Sequence, residues 1–238
     1  LYGLPFLFDS LEEVDVVRKA MDRTMIEGLR EKGLVSFGLA SGGFAHIMSN
    51  EPVRNVQDMK GKRVWVPEGD LISYAAMERF GLSPVTLPAT DVLTGLQTGL
   101  IDVIGSSAIG ALVLQWHTKV NYISTMPVSY LFGLMAIEEK YYERLSPADQ
   151  RIVEDVYVRM YQQMEISNNV DNAAAMTALE ESGLKLIPPE DGLLVSLKKE
   201  SRQLWFELAQ GPNVDEAQLK AIDALLEAHR NSVSAGAP

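Results

Sequence analysis

Residues 60–67 read Lys60-Gly61-Lys62-Arg63-Val64-Trp65-Val66-Pro67. Lys-Gly-Lys makes a turn, Arg63 to Val66 is a β-rich run, and Pro67 stops it. Asp70 is then placed to cap a helix over 71–80, which Gly81 closes. The rhythm repeats at once: a strand at 85–87, a helix over 91–98, Gly99 as its C-cap, and a strand at 100–104. Strands alternating with short helices at this spacing predict βαβ units and a mostly parallel sheet. The fold class is α/β.

Toward the N-terminus, Ser10-Leu11-Glu12-Glu13 is a capping box that opens a helix over about 11–31. Gly33 ends it, and 34–39 reads as a short strand. Ser41-Gly42-Gly43 should break that strand, which resumes at 46–49. Toward the C-terminus, strands are predicted at 120–124 and 129–137, the second almost wholly apolar. Such a run fits a strand buried on both faces, or one that crosses between lobes. Ser146-Pro147-Ala148-Asp149 combines three helix-start signals, and nothing interrupts the helical pattern before Gly183. One helix of that extent is roughly 55 Å long at ~1.5 Å per residue. It is longer than a single lobe and must lie across more than one. Asp215-Glu216-Ala217-Gln218 opens a last helix to about residue 231, and the small, polar tail 232–238 is expected to be flexible.

Composition narrows the function classes. With 47% hydrophobic and 22% charged residues, the 238-residue chain has the apolar mass for a sizeable core. A net charge of −11 argues against binding a phosphate backbone, so no nucleic-acid partner is expected. The longest apolar run, Tyr130 to Ile137, is far shorter than the ~20 residues that span a bilayer. Absence of cysteine removes thiol catalysis and cysteine-based zinc sites. The three histidines, at 46, 117 and 229, have no metal-ligand spacing, so neither metal nor cofactor is expected. The chain opens on Leu1 rather than Met, without a basic leader, which reads as a processed or truncated product.

Among single residues, Trp65 stands near the C-terminal end of a strand, where open α/β sheets place ligands. It is either a core tryptophan or a stacking platform. Glu68 and Asp70 follow in the adjoining turn, as turn acid and helix cap or as charges facing a ligand. Ser106 and Ser107 begin the loop at the same sheet edge. Asp102 sits in an apolar strand and needs a partner if buried. Phe44 and His46 suit core or rim.

The order and spacing of these segments resemble the solute-binding proteins of tripartite ATP-independent periplasmic (TRAP) transporters, of the C4-dicarboxylate-binding type. The matching stretches are Leu4-Pro5-Phe6-Leu7-Phe8, Gly43-Phe44 with Asn50-Glu51-Pro52-Val53, and Asp58 to Val64 leading to Pro67. Phe80 to Val85, Asp91 to Asp102 and Leu145 to Gln150 continue the match. The resemblance implies a two-lobed periplasmic binding protein fold with β-strand hinges and a long lobe-spanning helix. Lobe I would take 1–42 and 131–170, and lobe II 43–130 and 171–231, with 232–238 a flexible tail. It also implies a further N-terminal portion of roughly 80 to 90 residues and a signal peptide, so that lobe I is expected to be incomplete here.

The function implied is capture of a small organic solute in an interlobe cleft and delivery to TRAP membrane permease subunits. Such a protein is periplasmic and monomeric, touches the membrane only through the permease, and is not an enzyme. In the family an arginine two residues before the proline grips the ligand carboxylate, and an asparagine follows the next strand. Here those positions are Trp65 and Ser106. The expected solute is therefore not a standard arginine-clamped C4-dicarboxylate, and the expected ligand-binding residues are Trp65, Ser106, Ser107, Phe44, Tyr130, Arg63 and Glu68. Glu68 would face a cationic ligand. Two alternatives stay open: a carboxylate binder using Arg63 or an N-terminal charge, and an α/β enzyme on a small acid or sugar with Asp102, Glu68 or His46 as acid–base groups.

Overall fold

The computed structural model describes residues 1–236. Helix α1 (Leu11–Arg30) starts where the capping box puts it, with the Ser10 hydroxyl accepting from the Glu13 N–H. The Glu13 carboxylate reaches back one residue further than a capping box requires, to the Asp9 N–H at 2.8 Å. Strand β1 (Leu34–Val35) is only a fragment of the predicted run. Strand β2 (Ala40–Ser49) passes through Ser41-Gly42-Gly43 without a break, because Gly43 takes a φ of +89° inside the strand.

Strand β3 (Arg63–Pro67) and helix α2 (Leu71–Arg79), capped by Asp70 on the Ser73 N–H, match the reading of residues 60–81. Strand β4 (Ser83–Leu87) and helix α3 (Val92–Thr98) follow, the latter closed by Gly99 in the left-handed region. Strand β5 (Val103–Ser106) begins three residues later than predicted. The Leu100 and Ile101 N–H groups are spent on the Gly95 carbonyl, finishing α3, before Asp102 N–H joins Arg63 O. Helix α4 (Ala108–Val113) comes next.

Strand β6 (Tyr122–Gly133) fuses the two strands predicted on either side of Pro127. Strand β7 (Ile137–Glu138), which pairs antiparallel with β1, and helix α5 (Glu139–Tyr142) lead to helix α6 (Pro147–Glu181). At 35 residues α6 is the uninterrupted helix that the Ser146-Pro147 start signal foretold. The last elements are strand β8 (Lys185–Ile187) and helices α7 (Leu193–Leu208) and α8 (Glu216–Gly236). The sequence reading did not foresee β8. Pro127 is tolerated within β6 because β8 pairs only with Tyr122 to Ser124, so a missing N–H beyond that point costs no bond on that side. Residues 232–236, expected in a flexible tail, continue helix α8; residues 237 and 238 lie outside the described residues.

The described chain divides into two compact units. Unit 1 comprises 1–7, 43–131 and 170–215, and unit 2 comprises 8–42, 132–169 and, among the described residues, 216–236. The chain passes from one to the other inside β2, inside β6 and inside α6. Two segments sit differently from the expected division. Residues 1–7 join unit 1, where Phe6 N–H bonds Val128 O and the Trp205 indole N–H bonds Pro5 O at 3.0 Å. Helix α8 joins unit 2, where Arg230 forks onto Glu13 at 2.7 and 2.8 Å.

In unit 1 the sheet order is β4-β3-β5-β2-β6-β8. β3 runs parallel to β4 and β5, and β6 parallel to β8, while β2 is antiparallel to β5, so the sheet is mostly parallel, as expected, with an antiparallel pairing within it. Alternation along the strands sends Trp65, Met48 and Ile104 into one core and Val64, Ile47 and Val103 into another. The first core includes residues of α3, α4 and α6, while Met77 of α2 packs on the second.

Unit 2 is held differently. Arg18 of α1 donates to Asp22 at 2.9 Å, to the Ser41 hydroxyl at 2.8 Å and to the Leu39 carbonyl at 3.0 Å, and pairs with Glu165 at 2.6 Å. Burial opposes its charge, but the hydrogen bonds and charges of Glu165 and Asp22 outweigh burial and raise its pKa. Every donor group of this guanidinium is thereby engaged.

Candidate functional site

Strand β5 is flanked by parallel β3 on one side and antiparallel β2 on the other, and open α/β sheets hold ligands in the crevice outside the carboxyl ends of their strands. Ser106, the last residue of β5, is buried and sits opposite His46 of β2. Ser107 follows in extended conformation, and its hydroxyl accepts from the Gly110 N–H, capping α4. Two residues before His46, on the same face of β2, Phe44 meets Tyr130 of β6 edge to face, with ring centroids 4.8 Å apart. Such a pair is worth about 0.5–1.5 kcal/mol beyond its buried area, and it fixes both rings.

Asn172 of α6 completes this end of unit 1. Its Oδ1 accepts from the Ile109 N–H at the start of α4, at 3.5 Å. Its amide also lies against the bare Cα of Gly43, where an added Cβ would fall 2.7 to 2.8 Å from the amide atoms. Gly43 is thus required twice, for its positive φ and for this close approach. Asn172 gave no signal in the sequence, because a polar residue within a long helix reads as a solvated face.

His46 donates from Nδ1 to the Ser124 carbonyl at 2.9 Å, since a carbonyl can only accept. Burial pushes its pKa down, and this hydrogen bond offsets the shift in part. The ring is accordingly neutral near pH 7, with Nε2 as an acceptor. Hydroxyls, an amide, a neutral imidazole and aromatic rings thus come to one sheet end from β2, β5, β6 and α6.

Other predicted residues lie elsewhere. Trp65 is a core residue rather than an exposed wall: it is 8% exposed, stands edge-on to Trp116 at 5.1 Å, and gives its indole N–H to Leu87 O at 2.9 Å. A side chain whose polar atom is satisfied and whose ring is packed has neither face free for stacking. Arg63 lies at the opposite end of β3 from Pro67. It forks onto Asp102, Nε to Oδ2 at 2.9 Å and Nη2 to Oδ1 at 2.8 Å, and each raises or lowers the other's pKa toward the charged form. Glu68 is exposed in the turn between β3 and α2. Asp102, beside the start of β3 through its pair with Arg63, and Glu68, just past the end of β3, therefore lie at opposite ends of the sheet and form no acid–base pair. Among the described residues no group of three or more His, Asp or Glu is placed to hold a metal ion, and no helix is long and apolar enough to cross a membrane.

The family model for bacterial extracellular solute-binding proteins, family 7, matches residues 1–211. The chain belongs to this family. Its members are binding proteins that work outside the cytoplasm, as the family description states, and are not enzymes. Among relatives, the ectoine-binding periplasmic protein TeaA of Halomonas elongata is 26% identical over 220 residues, covering 90% of this chain and 60% of TeaA. The C4-dicarboxylate-binding periplasmic protein DctP of Rhodobacter capsulatus is 20% identical over 187 residues, covering 77% of this chain and 55% of DctP. The sugar acid binding protein DctPAm of Advenella mimigardefordensis, solved with galactonate, superposes with a TM-score of 0.87 at 16% identity over 95% of this chain and 73% of that one. Likeness at this level establishes the TRAP periplasmic binding protein fold. The chain spans about half to two thirds of the length of the relatives it matches.

Proposed function

We propose that this protein captures a small organic acid or zwitterion and hands it to the membrane permease subunits of a TRAP transporter. The family match over residues 1–211 carries the reading. The names of the relatives, which bind ectoine or C4-dicarboxylates, support the solute class. Within unit 1 the solute would meet Ser106, Phe44, Tyr130, His46 and Asn172 at the carboxyl end of β5. Ser107 contributes by holding the start of α4 in place.

Selectivity follows from what this sheet end offers. A family carboxylate clamp would sit at Trp65, which is packed in the core, and the nearest arginine on that strand, Arg63, is held by Asp102. Neutral donors and aromatic rings favour a solute with hydroxyl or amide groups, or with dispersed charge, over one with two bare carboxylates. Titration calorimetry with ectoine, succinate, galactonate and 2,3-diketo-L-gulonate tests the reading. One class should bind saturably and be recovered unchanged. Chemical conversion of any of them, or tight binding of succinate alone, contradicts it.

A further inference from the structure

On the α2 and α7 side of the unit 1 sheet lies a cavity of about 90 Å³. Phe6, Ile47, Met77, Leu82, Met126 and Leu197 are among its walls. Its origin is visible in the packing. Ile47, Val64 and Val103 form one core cluster, Phe6, Met126 and Leu197 form another, and the residues common to both, Val56, Phe80 and Val128, are only partly buried. The two clusters meet along a seam that no side chain fills.

Apart from the half-buried Ser129, the polar side chains on its walls are engaged or face solvent. The Ser73 hydroxyl donates to Asp70 at 2.6 Å, and the Ser124 hydroxyl accepts from Met126 N–H at 3.2 Å. The Asn55 amide donates to Glu190 at 2.7 Å. Arg54, the one charged residue of the lining, is exposed to solvent. A guest entering this space finds mostly apolar surface, with the Ser124 and Ser129 hydroxyls as its small polar part. An ionic guest would lose hydration inside this apolar space, while the Arg54 charge stays at its solvent-exposed rim. An apolar cavity of ~150 Å³ is known to stay dry and to take up benzene or xenon. This one is smaller, and Met59, Met77 and Met126 on its walls have the flexible thioethers that adapt to a guest.

We propose that this cavity is a second binding site, for a small neutral apolar molecule of three or four carbons. It is separate from the solute site: none of Phe44, Ser106, Ser107, Tyr130 or Asn172 lines it. The inference rests on the packing of unit 1 and does not depend on the identity of the transported solute.

Xenon NMR on the full chain, with cyclopropane and propionate as competitors, tests it. The xenon chemical shift should move saturably with protein, cyclopropane should displace xenon, and propionate should not. Ala76→Leu puts three further carbons into the cavity and should abolish the shift while leaving solute binding unchanged. Should that variant not fold, Leu197→Ala enlarges the cavity and should newly admit benzene. A xenon shift that never saturates, one that survives Ala76→Leu, displacement by propionate as strong as by cyclopropane, or a Leu197→Ala protein that excludes benzene would each overturn the proposal.

Discussion

The Arg63 guanidinium closes a two-pronged ion pair on the Asp102 carboxylate, and the same carboxylate accepts the Arg63 backbone N–H at 2.9 Å. One acid therefore ties the start of β3 to the start of β5. The pairing lowers the Asp102 pKa, chiefly through the Arg63 hydrogen bond. A depressed folded-state pKa gives stability that is present above the unfolded value of about 4 and is lost as pH falls through the folded value. Asp102→Asn should therefore flatten the acid limb of a stability–pH curve measured by denaturant titration. Solute affinity at pH 7 should be unchanged in Arg63→Ala, because this pair lies at the other end of β3 from the proposed site.

His46 has the same sign by a different route. Burial lowers its pKa, so the unfolded chain binds the proton more tightly than the folded one. Stability should be fully present above about pH 6.5 and decline as pH falls from there toward the folded pKa. His46→Gln should remove this part of the decline, which thermal unfolding between pH 7.5 and 5 would measure.

Trp65→Ala should cost about 3–5 kcal/mol, the range for truncating a buried aromatic side chain. Trp65→Phe should cost less, keep the edge contact with Trp116, and leave solute affinity as it was. Denaturant melts and calorimetry on the two variants separate a core role from a contact with solute.

The sequence conveyed the elements of unit 1 well and the role of Trp65 poorly. Turn, strand and cap at 60–81 are local signals, and each appeared where its chemistry placed it. The helix from Pro147 was legible because nothing in 35 residues interrupts it. Trp65 and Phe44 look alike in a single sequence, since an aromatic residue on a strand suits a core or a binding face equally. Position along the strand and contacts decide between them: Trp65 packs with Met48, Ile104 and Trp116 in the core, while Phe44 lies further along β2, edge to face with Tyr130. β8 escaped notice because three residues carry no period. Gly43 reads as a breaker until the Asn172 amide against its Cα explains it.

That contact makes a prediction of its own. Gly43→Ala combines a left-handed φ with a clash against Asn172, and should destabilise the protein by about 1–3 kcal/mol. Asn172→Ala in the same chain should relieve the clash but not the backbone strain. A double-mutant cycle should therefore show partial rescue.

Ser201 lies on the buried face of α7, and its hydroxyl has no hydrogen-bond partner among the described residues. Ser201→Ala should stabilise the protein by about 1 kcal/mol, read as an increase in denaturation midpoint at unchanged slope.

The central claim is that a small acid or zwitterion is held by neutral groups at the carboxyl end of β5. Calorimetric affinity of the best-binding solute, measured for Ser106→Ala and Phe44→Ala beside Arg63→Ala, tests it most directly. The dissociation constant should rise about tenfold or more in the first two, equivalent to ~1.4 kcal/mol, and stay within about twofold in the third. Loss of binding in Arg63→Ala, with Ser106→Ala and Phe44→Ala unaffected, would contradict it.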